Sequence, residues 1–324
     1  MTVFDIGKPY NNSMKDDLTK QLNNFKSVIE LVHTFSNEKK CIKFLEEIRW
    51  GNEVVSPFDK TSKVYKCKGN NYRCRKTGKY FNVKTGTLFE NTKVDLQTWF
   101  VAIYLITSNK KGVSSVQLSK ALNVTQKTAW FILGRIRNCF KIENDNILNN
   151  EVEIDETYVG GKNKNRHFDK KVENSQGRST KDKVAVLGMI ERNGKLNAKT
   201  VEDTHADTLT KEIIKRVKDS ANLYTDEYLG YKGIAKLYNH SVVKHNAGQY
   251  VDGNIYTNSI EGFWSILKRG IFGIYHFTSK KHLQIYIDEF VYRYNTRFMN
   301  ECERFTDILG NMFVRTRYQD LIAA

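Results

Sequence analysis

The chain has 324 residues, 40% of them hydrophobic, and carries 52 Lys plus Arg against 36 Asp plus Glu, a net charge of +16. No stretch approaches the ~18 consecutive apolar residues of a membrane span, and the N-terminal MTVFDIGKPYNNSMKDD lacks the basic-then-apolar layout of a signal peptide, which sets membrane and secreted classes aside. A positive excess of this size favours a polyanionic partner, most often nucleic acid.

In chain order, residues 15–50 read as helical. Leu18, Leu22, Phe25, Val28, Ile29 and Val32 recur at helical spacing, and Ser36 is the expected cap of a second helix running through Trp50. Residues 54–90 read as short strands with turns at Gly69-Asn70-Asn71 and Thr77-Gly78. From Lys60 to Lys84 there are nine Lys or Arg and no acidic residue, interleaved with Tyr65, Tyr72, Tyr80 and Phe81. Such a stretch can neutralise phosphates while its rings stack or pack. Five cysteines, at 41, 67, 74, 139 and 302, are odd in number and scattered, which fits a reducing compartment better than a disulfide framework.

Residues 94–142 return to helix. SSVQLSKALNVTQKTAWFILGRIRNCF reads as two helices around a tight turn near Asn123-Val124, with Val116, Leu118, Ala121, Leu122 and Val124 packing on Ala129, Ile132, Leu133 and Ile136. This is the helix-turn-helix pattern. Its second helix, from Thr125, offers Gln126, Lys127, Thr128 and Arg135 to DNA.

From residue 150 the pattern is mixed α/β: strand VEIDETYV, strands KVAVLGMI and LNAKTVEDT joined at an Asn-Gly turn, helix ADTLTKEIIKRVK, strand NLYTDEY, helical LGYKGIAKL, strand SVVKH, then two long helices. That order matches an RNase H-like layout, although periodicity alone allows other α+β folds. Asp155 falls on the first strand, Asp226 at the end of the fourth and Glu261 on a late helix. Carboxylates so placed can converge on Mg²⁺ or Mn²⁺ and serve phosphoryl transfer. Glu261, Ser265 and Lys268 share a helix face, which puts Lys268 two turns beyond Glu261. Lys162, Arg166 and His167, just after Asp155, suit phosphate, and Arg269 joins the DNA-contacting set. Trp264 and the stripe Tyr286, Phe290, Tyr294 read as core.

EIDETYVGGK, TDEYLGYKGI and NSIEGFWSILKRGIFGIYHFTSKKHLQIYIDEFVYRYNTR together resemble the ISXO-type DDE transposases of bacterial insertion sequences, whose eukaryotic relatives are the Merlin elements. The resemblance runs from about Cys41 to Arg297. It implies an N-terminal zinc ribbon, a helix-turn-helix and an RNase H-like catalytic domain. Asp155, Asp226 and Glu261 then correspond to a triad holding two Mg²⁺ or Mn²⁺ ions, and Lys268 to the basic residue after the third acid. His245 and the GGK and NRH residues match further family positions.

One departure stands out. Where the ribbon would carry two CxxC knuckles, this chain has Ser56-Pro57-Phe58-Asp59 and Cys74-Arg75-Lys76-Thr77. One thiolate, or two with Cys67, cannot close a tetrahedral site, so no structural Zn²⁺ is expected. The organisation read from sequence is 1–53 helical, 54–92 a degenerate ribbon-like module, 93–148 helix-turn-helix, 149–300 the catalytic domain and 301–324 a tail. The expected function is a transposase that binds the terminal inverted repeats of its own element, cleaves there and transfers strands. It would act on double-stranded DNA as a dimer or larger assembly, in the cytoplasm and nucleoid, or the nucleus of a eukaryote. The alternatives are a transposase-derived DNA-binding regulator and a structure-selective nuclease.

Overall fold

Side-chain caps set the first helices. Ser27 accepts from the Glu30 amide at the start of α1 (Val28–Thr34), and Asn37, not the expected Ser36, accepts from the Lys40 amide at the start of α2 (Glu38–Trp50). The computed structural model describes residues 22, 25–51, 53–160, 167–173, 183–243 and 256–323. It separates into two units, Met1–Cys139 with Phe298–Ala324, and Phe140–Arg297.

In the first unit, β1 (Val64–Lys66), β2 (Tyr72–Cys74) and β3 (Tyr80–Phe81) form an antiparallel sheet in that order. Tyr72, Cys74 and Phe81 are its buried centre, with Trp50, Val54, Phe58 and Val64 packed around them. Of the four rings interleaved with the basic residues, Tyr72 and Phe81 pack inside the module, whereas Tyr65 and Tyr80 are exposed. At the knuckle positions, Ser56 Oγ accepts from the Phe58 amide, Thr77 Oγ1 from the Lys79 amide, and Asp59 accepts from Thr61 and pairs with Lys76 at 3.3 Å. Those side chains are used within and between the two knuckle turns.

Helix α3 (Leu96–Ser108), capped by Asp95, is followed by α4 (Ser115–Leu122) and α5 (Gln126–Phe140). Asn123 turns the chain between these two with a left-handed φ of 53°, a conformation asparagine tolerates better than most residues. Leu118, Ala129, Ile132, Leu133 and Ile136 are buried as the pattern requires, whereas Val116 and Ala121 are exposed. Residues 301–324 are not a tail. Asn300 and Glu303 make a reciprocal capping box on α9 (Glu301–Gly310), and Phe305 packs on Phe35 and Phe100 with ring centres 5.9 and 5.3 Å apart. A short α10 (Tyr318–Ala323) follows.

The second unit is built on a five-stranded sheet. Its strands are β4 (Glu151–Val159), β5 (Val184–Glu191), β6 (Leu196–Val201), β7 (Asn222–Thr225) and β8 (Asn239–Val242), in the order β6-β5-β4-β7-β8. The pairs β4–β5 and β5–β6 are antiparallel; β4–β7 and β7–β8 are parallel. Both faces are covered, as the unbroken run of buried residues from Ala185 to Ile190 in β5 demands. One face packs Ile154, Leu187 and Met189 on α6 (Ala206–Ile214). The other packs Val186, Ile190 and Ala198 on α7 (Asn258–Gly270) and α8 (Leu283–Asn295). The stretch LGYKGIAKL, read as one helix, is two 3₁₀ turns, Leu229–Tyr231 and Ile234–Lys236.

Strand β7 stops at Thr225 and pairs with β4 only as far as Glu153. Beyond that point β4 has no neighbour on that side among the named strands. The opening lies at the carboxyl ends of parallel strands, where open α/β sheets bind ligands.

Candidate active site

Asp155 projects from β4 opposite Gly188 of β5. The indole of Trp264, on α7, lies across Gly188, where an added Cβ would come within 2.5 Å of two ring carbons. From there its Nε1–H donates to Asp155 Oδ2 at 2.9 Å. Asp226 follows β7 directly, and its Oδ1 accepts from the Tyr228 amide at 3.0 Å, an Asx-type turn that fixes the carboxylate at the strand end. Glu156 accepts a 2.7 Å bond from the buried Tyr231 hydroxyl. Asp155, Glu156 and Asp226 each bring a carboxylate oxygen within 4.8 Å of the others.

Helix α7 supplies the rest of the cleft. Thr257, Glu261, Trp264, Ser265 and Lys268 line a cavity of about 470 Å³ together with Asp155, Glu156, Thr157 and Asp226. Burial, then the neighbouring charges of Glu156 and Asp226, push the Asp155 carboxyl up to about 7. Burial lowers the Lys268 ammonium; Asp155 opposes that and Lys183 adds to it. A crowded carboxyl such as Asp155, which resists ionising in isolation, is what a divalent cation relieves. Among the described residues, the titratable groups that line the cleft are carboxylates and the Lys268 ammonium. That oxygen donor set suits a hard cation such as Mg²⁺ or Mn²⁺.

The three acids expected to meet thus line one cleft, but the tight cluster is Asp155 and Asp226 with Glu156, and Glu261 lines the same cleft from the helix. Glu227, the acid next to Asp226, is not among the lining residues. Sequence reading missed two members. Strand alternation sends Glu156 to the opposite face from Asp155, and only the end of β7 lets it reach the same space. Trp264 reads as core, and it is buried; the polar edge that serves Asp155 leaves no periodic signal.

The family of ISXO2-like transposase domains matches residues 147–295, the segment that contains β4–β8, α7 and the cleft. The chain carries an ISXO2-like transposase domain. A relative from Halobacterium salinarum, described as an uncharacterized protein in transposable element ISH50, is 28% identical over 276 residues, covering 81% of this chain and 92% of its own. The crystal structure of a pre-cleavage Mos1 transpososome aligns over 94% of this chain and 99% of that one at 13% identity, with a TM-score of 0.23, too low to support an argument.

Other expected DNA contacts are unevenly placed. On the transposase domain, Arg269 is exposed, its Nε–H donating to Ser265 O at 3.2 Å, and His167 is exposed. Lys162, Arg166 and His245 lie outside the described residues. Outside the transposase domain, Lys127 is exposed on the first turn of α5. Arg135 is a correction. Its guanidinium is buried and donates to Leu88 O at 2.9 Å and Glu90 O at 2.8 Å, with its carbon 4.3 Å from the Phe131 ring centre. The fold uses that charge to satisfy carbonyls that helix periodicity cannot reveal. Accordingly, Arg135→Gln lowers unfolding stability by roughly 2 kcal/mol in thermal or urea melts. Lys127→Ala leaves the melt in place and weakens DNA binding with a shallower salt slope. The opposite pattern would return Arg135 to the DNA-contacting set.

Among the described residues no helix is long and apolar enough to cross a membrane.

Proposed function

We propose that this protein is a DDE transposase that binds the terminal inverted repeats of its mobile element and cuts and joins DNA strands in the α7 cleft. The observation that carries the reading is the gathering of Asp155, Asp226, Glu261 and Lys268 on one cleft of an ISXO2-like transposase domain. The strand order, with three antiparallel strands followed by two parallel ones, supports an RNase H-like domain. The α4–α5 pair and its asparagine turn support a helix-turn-helix. The basic β1–β3 module is a further DNA-facing element of this reading.

Asp155, Asp226 and Glu261 would hold two Mg²⁺ or Mn²⁺ ions, with Glu156 beside them. Such ions, when bound, supply an activated water and stabilise the leaving oxygen of an in-line displacement. Trp264 holds the Asp155 carboxylate in one orientation through its 2.9 Å bond. Lys268, on the same cleft, would pair with a phosphate of the bound strand. Two element ends must be brought together, so the active species is a dimer or larger assembly on double-stranded DNA.

The test is a strand-transfer assay on the element's own ends in Mg²⁺, comparing wild type with Glu261→Gln. Joined product from wild type, reduced by roughly a thousandfold or more in the variant, is the expected result. Cleavage without joining would assign a nuclease, and DNA binding without cleavage would assign a regulator. Either outcome removes the transposase reading.

A further inference from the structure

A buried cation ties together the three segments that carry the acids. Arg192 follows β5 in the turn to β6, and its side chain is 7% exposed. Its Nε–H donates to Glu153 Oε1 at 3.0 Å, two residues before Asp155 on the same side of β4. Its guanidinium carbon lies 4.1 Å from the ring centre of Tyr224, two residues before Asp226. It also lies 3.7 Å from the ring centre of Tyr256, whose carbonyl accepts from Nη2 at 2.8 Å just before α7 begins.

Glu153 completes the link. Its carboxylate is fully buried and accepts from Ser259 N at 2.9 Å, Ser259 Oγ at 3.0 Å and Ile260 N at 3.2 Å. These groups belong to the first turn of α7, whose N-cap residue Thr257 makes no side-chain cap bond of its own. A strand carboxylate thus caps the helix, aided by the positive end of the helix dipole. Glu261 is the next residue after Ile260. With Arg192 included, Glu153 has four donors on two oxygens. Its acceptor sites are therefore filled, which rules it out as a metal ligand itself.

The structure assigns Glu153 and Arg192 as positioning residues that set the spacing of Asp155, Asp226 and Glu261 before any cation binds. This rests on the reading of those three acids as metal ligands. Neither residue need touch DNA or metal. Their effect is to pre-form the gap between β4 and α7, so that a divalent ion does not have to draw the helix into place at the cost of its own affinity.

Mn²⁺ binding, followed by loss of the free-ion EPR signal, tests the assignment in the full chain. Wild type is compared with Glu153→Gln, Arg192→Lys and Ile213→Val, the last a control that thins the core on the other sheet face. Glu153→Gln should raise the Mn²⁺ dissociation constant about ten- to a hundredfold, Arg192→Lys by less, and Ile213→Val not at all. Excess Mn²⁺ should restore most of the strand cleavage lost in Glu153→Gln. Unchanged Mn²⁺ affinity in both folded variants overturns the assignment while leaving the transposase reading intact. If wild type binds no Mn²⁺, the functional reading itself falls, and the assignment with it. Should the variants not fold, amide exchange in the wild type decides. Slow exchange at Ser259 and Ile260 without metal supports the assignment, and protection that appears only with Mg²⁺ overturns it.

Discussion

Asp155→Asn abolishes metal-dependent strand cleavage and stabilises the metal-free protein above pH 7. The loss follows from removing an anionic oxygen from the Asp155–Glu156–Asp226 cluster, at a cost of roughly a thousandfold or more in rate. The gain follows from the same crowding. Burial and the neighbouring acids push this carboxyl from 3.8 up to about 7. Between about pH 4 and 7 the folded chain therefore keeps a proton that the unfolded chain releases. Stability of the metal-free wild type falls as pH climbs through that window and stays low above it. The penalty at pH 8 is on the order of 2–4 kcal/mol, and asparagine, which can still accept the Trp264 bond, avoids it. Melts in chelator should show wild type losing ground to Asp155→Asn between pH 5 and pH 8. Mg²⁺ at pH 8 should recover wild type alone. Parallel pH trends in the two proteins would refute this account of the cluster.

Gly188→Val is expected to cost stability and activity together. Gly188 lies opposite Asp155, and a Cβ there would meet Trp264 ring carbons at 2.5 Å and Ile260 at 2.8 Å. Those atoms sit in a packed core, not at the end of a flexible chain, so the indole and the helix behind it must shift. Overpacking of this kind costs about 1–3 kcal/mol. The shift also takes the indole away from Asp155 and moves Glu261 and Lys268, which ride on the same helix. A displacement near 1 Å in such a site is worth about a hundredfold in rate. The discriminating variant is Trp264→Phe, which lacks the ring atoms nearest the new Cβ. In the double variant, Gly188→Val/Trp264→Phe, most of the lost melting temperature should return while activity stays low. Additive losses would mean that Gly188 acts on something other than the indole.

These residues show what the sequence could and could not disclose. Alternation and an Asn-Gly turn located β4, β5 and β6, and the i, i+4, i+7 spacing put Glu261, Ser265 and Lys268 on one cleft wall. Such signals are local, written within one element. The misses all depend on where another element ends or passes. Glu156 joins Asp155 because β7 stops early. Arg135 is buried because Leu88 and Glu90 present bare carbonyls to it. Trp264 is both core and site because the strand beneath it has a glycine. The knuckles lacking cysteine were legible, but the exposure of Tyr65 and Tyr80 was not, since a three-residue strand has too short a period to declare its faces.

The place of Phe305 has a consequence for biosynthesis. Its ring closes the aromatic cluster of Phe35 and Phe100, yet a ribosome makes it more than a hundred and fifty codons after the last residue of the first segment of that unit, Cys139. Throughout that interval the early helices have left the exit tunnel without the residue that seals them. The nascent chain must therefore carry an unfinished apolar surface past the whole transposase segment, the stage at which chaperone capture or premature termination would do most harm.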